Sequence, residues 1–252
     1  FLSFPGNYPP CGFLWGIMMR KFFTENVNQK GFFGFERSII QSYRWAQLPP
    51  ASKSIFPAIF IHANSAGSCN PSRKRIAALA GVTEKTVTAG IEGLKSLPQF
   101  TVAKKTINSR GVRGNVFNLS LPNIKIRGRA FPFHRSIILG GNWANLTPSA
   151  KSLYPVLRHL AFYDFNTGQT EWDNSDFGER LYDSCEADYS VMAEYAGISI
   201  WTVRDALDSL RENFLLERPG EDEIGWRVYL RPTRFFDADD LNRNASRRLG
   251  VG

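Results

Sequence analysis

Residues 35–57 and 133–155 are one stretch written twice. They read FERSIIQSYRWAQLPPASKSIFP and FHRSIILGGNWANLTPSAKSLYP, and at a constant offset of 98, twelve of the 23 positions are identical without a gap. Chance does not give this. The chain is a duplicated unit, and whatever fold it adopts must be one that a single module can adopt twice. The retained pairs include Phe35/Phe133, Arg37/Arg135, Trp45/Trp143, Leu48/Leu146, Lys53/Lys151, Ser54/Ser152 and Pro57/Pro155. The repeat predicts two domains, over 31–127 and 128–236, with 1–30 as an N-terminal extension and 237–252 as a tail.

In the first copy, Phe32 to Phe35 and Ser38 to Ile40 read as short and extended. Pro49-Pro50 suits a helix start, and Phe56, Ile59, Phe60 and Ala63 recur at helical spacing. Pro57 either kinks that helix or marks its true beginning, and Pro155 repeats whatever it does. Trp45, Leu48 and this helix are expected to pack the base of each module. Ala66 to Pro71 is a turn cluster. A second helix then opens at Ser72, with Ile76, Leu79 and Ala80 facing inward, and stops at Gly81. Thr83 is placed to cap a third helix whose Val87, Ile91 and Leu94 form one apolar stripe. Phe100 to Lys105 and Val116 to Leu121 read as a hairpin around a glycine-rich turn. Helix, glycine turn, capped helix and hairpin make a winged helix. The predicted class is therefore mainly α with small β wings, α+β overall, as two tandem winged-helix domains.

The run PSRKRIAALAGVTEKTVTAGIEGL, residues 71–94, resembles the winged-helix DNA-binding domains of bacterial regulators and of phage or plasmid replication proteins. The resemblance covers about residues 45–121 and, more loosely, 143–231. It implies that 83–95 is the helix that enters the DNA major groove.

The residues make their own case. On a helical wheel, Lys85, Ala89, Glu92 and Ser96 lie opposite the apolar stripe, flanked by Thr86 and Thr88. Small side chains, a lysine and hydroxyls suit close approach to base edges and phosphates. Gly90 and Gly93 weaken a helix and predict close contact with another helix or a ligand. Ser72, Arg73, Lys74, Thr83 and Lys95 border this face, and Lys104, Lys105, Arg110 and Arg113 make the hairpin basic. Glu92 is the one carboxylate that opposes the reading in the middle of the face, although it can accept from cytosine. Charge is also divided between the copies. Residues 1–127 carry 17 Lys and Arg against 4 Asp and Glu, whereas 128–252 carry 14 against 19. The overall net charge of +8 conceals that division.

The second copy repeats the helix–turn–helix at Met192 to Leu210, now at offset 116, so 18 residues are inserted before it. The segment 164–188 holds eight Asp and Glu and one Arg, and reads as an acidic surface loop rather than core. Trp201, Asp205, Asp208 and Glu212 stand where Lys85, Ala89, Glu92 and Ser96 stood, and Glu221-Asp222-Glu223 replace the arginines of the hairpin. Carboxylates there repel a phosphate backbone. This copy is expected to keep the fold without reading DNA in the same way. Trp201, with Asp205 and Asp208, either anchors a protein interface or packs against the acidic insertion.

Other chemistry is not indicated. Cys11, Cys69 and Cys185, and His62, His134 and His159, are scattered without metal-ligand spacing. Phosphate-loop, nucleophile-elbow and paired-histidine motifs are absent, so neither an enzyme nor a metal or other cofactor is expected. The apolar run from Cys11 to Met19 is too short to span a bilayer, and the natural start is expected at Met18 or Met19. The tail runs from Asp237, Asp239 and Asp240 to Arg243, Arg247 and Arg248, as a short helix or an unstructured end. The expected partner is double-stranded DNA, with a homodimer or protein contact through the second copy, in a bacterial cytoplasm at the nucleoid. Three roles remain open: a transcriptional regulator, a plasmid or phage replication initiator, and a module whose two winged helices both bind protein.

Overall fold

The structure is a computed structural model that describes residues 31–106, 113–119, 130–161, 182–218 and 225–232. It is a mixed α+β chain with small antiparallel sheets. The first copy runs β1 (Phe32–Glu36), α1 (Arg37–Gln41), α2 (Arg44–Gln47), α3 (Pro50–Phe60), β2 (Ser68–Cys69), α4 (Arg73–Ala80), α5 (Glu84–Leu94), β3 (Phe100–Thr106) and β4 (Arg113–Leu119). The second repeats that order. It comprises β5 (Ala130–His134), α6 (Arg135–Leu139), α7 (Asn142–Asn145), α8 (Pro148–Ala161), β6 (Tyr182–Cys185), α9 (Tyr189–Ala196), α10 (Ile200–Glu212), β7 (Leu216–Glu217) and β8 (Trp226–Tyr229). Each copy closes with a three-stranded sheet, ordered β2-β4-β3 and β6-β8-β7.

A third sheet joins the copies. β1 pairs antiparallel with β5 in a register that sets Gly34 opposite Pro132, its own counterpart in the repeat. About that point the pairing is symmetric, Phe33 with Phe133 and Phe35 with Phe131. The rings of both pairs stack at 5.0 Å between centroids. A local two-fold axis therefore runs through the seam, and the buried apolar residues of both copies form one continuous cluster.

Several of the identical residues of the repeat meet across this axis. Trp45 Nε1 donates to the Ser152 carbonyl and Trp143 Nε1 to the Ser54 carbonyl, each at 2.8 Å. Ser54 and Ser152 lie one turn before Pro57 and Pro155, which sit inside α3 and α8. An interior proline offers no N–H to the preceding turn, and its ring pushes that turn open. The carbonyl left without that donor is Lys53 O, or Lys151 O in the other copy, and the indole of the opposite copy takes the adjacent one, Ser54 O or Ser152 O.

Lysines complete the exchange. Lys53 Nζ donates to Ala196 O at 2.7 Å, and Lys151 Nζ to Ala80 O at 2.8 Å. Each places a cation on the C-terminal carbonyls of a helix in the other copy, where the helix dipole favours it. Both side chains are buried, and burial pulls their ammonium groups down to about 8.

Several sequence expectations change here. Ser38 to Ile40 is helical, inside α1, because the strand ends at Glu36 once its partner β5 does. Pro57 is interior to α3 and not its beginning. The turn cluster contains the short strand β2, which adds to β4. Trp45 and Lys53 do not serve only the base of their own module; they fasten one copy to the other. Asp183, in the predicted acidic loop, is 2% exposed and forms a 2.7 Å ion pair with the buried Arg158. Residues 1–30, the boundary at 127/128, most of the insertion (162–181) and the tail lie outside the described residues.

Candidate nucleic-acid interface

The helix–turn–helix of the first copy is assembled by local chemistry. Ser72 Oγ accepts from Arg75 N at 3.2 Å and opens α4. Gly81 closes it in the left-handed region at φ +63°, and Val82 N bonds back to Ala77 O. A Cβ on Gly81 would run into the Ala144 carbonyl of the other copy, so the turn is fixed from outside as well. Thr83 Oγ1 then caps α5 by accepting from Thr86 N at 3.2 Å. Gly90 and Gly93 let α5 lie directly on α3. A Cβ on Gly90 would stand 2.8 Å from Ala51 O, and one on Gly93 would meet Ser52 Oγ. The close contact foreseen for these glycines is therefore with a helix.

Val87, Gly90, Ile91 and Leu94 are buried, which leaves Lys85, Thr88, Ala89 and Glu92 on the exposed side of α5. Thr83 and Thr86 share a hydroxyl–hydroxyl bond of 2.9 Å, and Thr88 Oγ1 donates to Glu84 O, so these hydroxyls already serve the helix. Glu92 forms a 2.6 Å ion pair with Lys95 one turn on, which neutralises the carboxylate that opposed an anionic partner. Lys85, Arg73 and Lys74 are exposed and have no ion-pair partner among the described residues. Ser72 stands beside them at the start of α4.

Lys104 and Lys105 lie on β3 opposite Asn115 and Gly114, and Arg113 on β4 opposite Thr106, at the far end of the hairpin. Arg110 lies outside the described residues. One positioning residue escaped the sequence reading, Lys151, whose ammonium holds the end of α4 from the other copy. Its signal was present, as the identity of Lys53 and Lys151 in the repeat.

The same frame carries a different surface in the second copy. Ser199 caps α10 through Thr202 N, and Gly197 at φ +63° repeats Gly81, its missing Cβ facing the Ala46 carbonyl. Trp201 is 83% exposed, and Asp205, Asp208 and Glu212 follow it along α10 on the solvent side. Asp208 is paired with Arg211 at 3.4 Å. The choice between an interface and the insertion as the neighbour of Trp201 turns on residues outside those described.

Elsewhere the titratable groups are structural. Cys69 and Cys185 are buried free thiols, pushed up to about 12 and about 11 by burial. His134 Nδ1 accepts from Ser136 N at 3.1 Å and caps α6; burial holds it down to about 4, and His159 down to about 3. Burial also lowers His62, with Arg75 and Arg135 adding to the effect. Among the described residues no cluster of His, Cys, Asp and Glu could hold a metal, and no helix is long and apolar enough to cross a membrane. No family model matches the chain, and comparison with curated proteins and with solved structures returns no match.

Proposed function

We propose that each copy is a winged helix, and that the first binds double-stranded DNA sequence-specifically, the chain acting as a transcriptional regulator. In this reading α5 enters the major groove and the β3–β4 hairpin meets phosphates or the minor groove. The observation that carries it is the exposed face of α5. Lys85 and Ala89 stand clear on it, Glu92 is neutralised by Lys95, and the unpaired Arg73 and Lys74 of α4 lie nearby in the chain. A small residue beside a free lysine permits close approach to base edges, while the surrounding cations attract phosphate. Selection of bound duplexes from a random library at stated salt tests it. Lys85→Ala and Arg110→Ala should each weaken binding and reduce the salt slope by about one. No salt-dependent binding, or binding indifferent to both changes, refutes it.

A replication initiator is the second reading, favoured by two unlike faces held on one body. Binding to repeated direct sites with duplex melting would support it; a palindrome overlapping a promoter supports regulation. If neither copy binds DNA and a protein partner persists after nuclease treatment, the chain is an interaction module.

A further inference from the structure

Duplication supplies an internal control for the second helix–turn–helix. The two frames share the caps of α5 and α10, their left-handed glycines and their buried apolar positions, so differences on the exposed face are differences of purpose rather than of fold. Where the first copy shows Glu84 and Lys85, the second shows Ile200 and Trp201, 52% and 83% exposed. Two large apolar side chains are thus held in water at the first turn of a well-capped helix. Leaving them there forfeits the burial free energy that such side chains otherwise contribute.

Trp201 does not stand alone. Asp205, Asp208 and Glu212 follow at one, two and three turns along α10, a row about 16 Å long. Asp208 is shared with Arg211, while Asp205 and Glu212 have no ion-pair partner among the described residues. An aromatic anchor beside free carboxylates selects its occupant by charge. A phosphate backbone is repelled. By composition, residues 162–181, with five carboxylates and one arginine, are a poor charge match for this face. We propose that this face docks a protein segment in which an apolar side chain is flanked by Lys or Arg, the apolar group packing on Trp201 and Ile200 and the cations meeting Asp205 and Glu212. The aromatic supplies affinity, and the carboxylates supply selectivity and speed of encounter.

The proposal does not depend on DNA binding by the first copy. It is tested by panning the intact chain against a displayed library of random twelve-residue peptides, with Trp201→Ala as the counter-selection. Enriched peptides should carry an aromatic or aliphatic residue next to Lys or Arg. A labelled representative should bind at least about tenfold more weakly to Trp201→Ala, several-fold more weakly to Asp205→Lys, and equally well to Lys85→Ala. Its affinity should fall with added salt. All three substituted residues are exposed, so unchanged melting temperatures will show that the fold is intact. No enrichment, enrichment of acidic or uncharged peptides, or equal binding by Trp201→Ala overturns the proposal. So does self-association of the chain that Trp201→Ala abolishes, which would make a second copy the occupant. Loss of duplex binding in Trp201→Ala as deep as that in Lys85→Ala would instead assign the face to DNA.

Discussion

Lys53 Nζ lies 2.7 Å from the carbonyl of Ala196, the last residue of a helix 143 positions further along the chain. Ala46 O accepts from the same ammonium at 3.1 Å. Lys53→Met keeps the stem but leaves both carbonyls without that donor. It should cost about 1–3 kcal/mol in urea denaturation. Lys151→Met removes the equivalent bonds to Ala80 and Ala144 and should cost the same. An unchanged midpoint in both variants would contradict the assignment.

Pro57→Ala makes a sharper test of the seam. Replacing an interior proline ordinarily gains a helix about 3 kcal/mol. Ser54 O, in the turn that the Pro57 ring crowds, accepts from Trp143 Nε1, and disturbing that bond should hold the gain below about 1 kcal/mol. In a Trp143→Phe background, where that bond is absent, more of the gain should return. A double-mutant cycle measures the difference. Strict additivity would show that the proline and the indole are unrelated.

Glycine positions divide into two kinds. Gly81→Ala and Gly197→Ala set a Cβ into a carbonyl of the other copy as well as forcing the left-handed region, and each should destabilise by more than about 2 kcal/mol. Gly141 has φ +86° but open space around it, so Gly141→Ala bears the conformational term alone, about 1–2 kcal/mol. Thermal melts of the three variants should rank accordingly.

Acid should weaken the fold before its carboxylates titrate. Burial holds His134 down to about 4 and His159 down to about 3, from the usual 6.5. The unfolded chain therefore binds more protons than the folded one below pH 6.5. The contribution of these two groups is complete above 6.5 and is lost as pH falls toward 4 for His134 and toward 3 for His159. His134→Asn retains a capping oxygen for Ser136 N without a titrating group, and should flatten part of the decline in melting temperature.

Glu92→Gln bears on the proposed DNA contact. It removes a carboxylate from the exposed side of α5 and frees Lys95, so duplex affinity should rise several-fold at low salt. The salt slope should steepen by about one. A loss of affinity would mean that Glu92 itself contacts a base.

What the sequence disclosed were relations within a few turns. Thr83 as a cap, Gly81 as a stop, the Val87–Leu94 stripe and the demand of Gly90 and Gly93 for a close neighbour all follow from spacing, and the structure has each in place. The seam was visible as identity but not as geometry. Nothing local to Trp45 says that its N–H ends on Ser152, because that depends on how two distant turns meet. From sequence Asp183 reads as surface, because its partner, Arg158, precedes the whole insertion. Ser38 to Ile40 is too short for a period of two to be told from one of 3.6, and became helix where the seam strand ran out. On the candidate face, residue types were legible, but the neutralisation of Glu92 by Lys95 depends on a rotamer and was not.

The symmetric register of Phe33, Gly34 and Phe35 with Phe133, Pro132 and Phe131 has a consequence for how such a chain can change. A homodimer built on that seam would show the world the same surface twice, since any substitution appears on both sides of its axis. Joining the halves in one polypeptide removes that obligation from the outside while leaving it on the seam, where each half must still fit a near-copy of itself. The sequence has that division: a tryptophan stands at 201 in the place of Lys85, but Trp45 and Trp143 are alike. With like halves at the seam and unlike outer faces, the chain is a two-sided object that symmetry alone could not have produced.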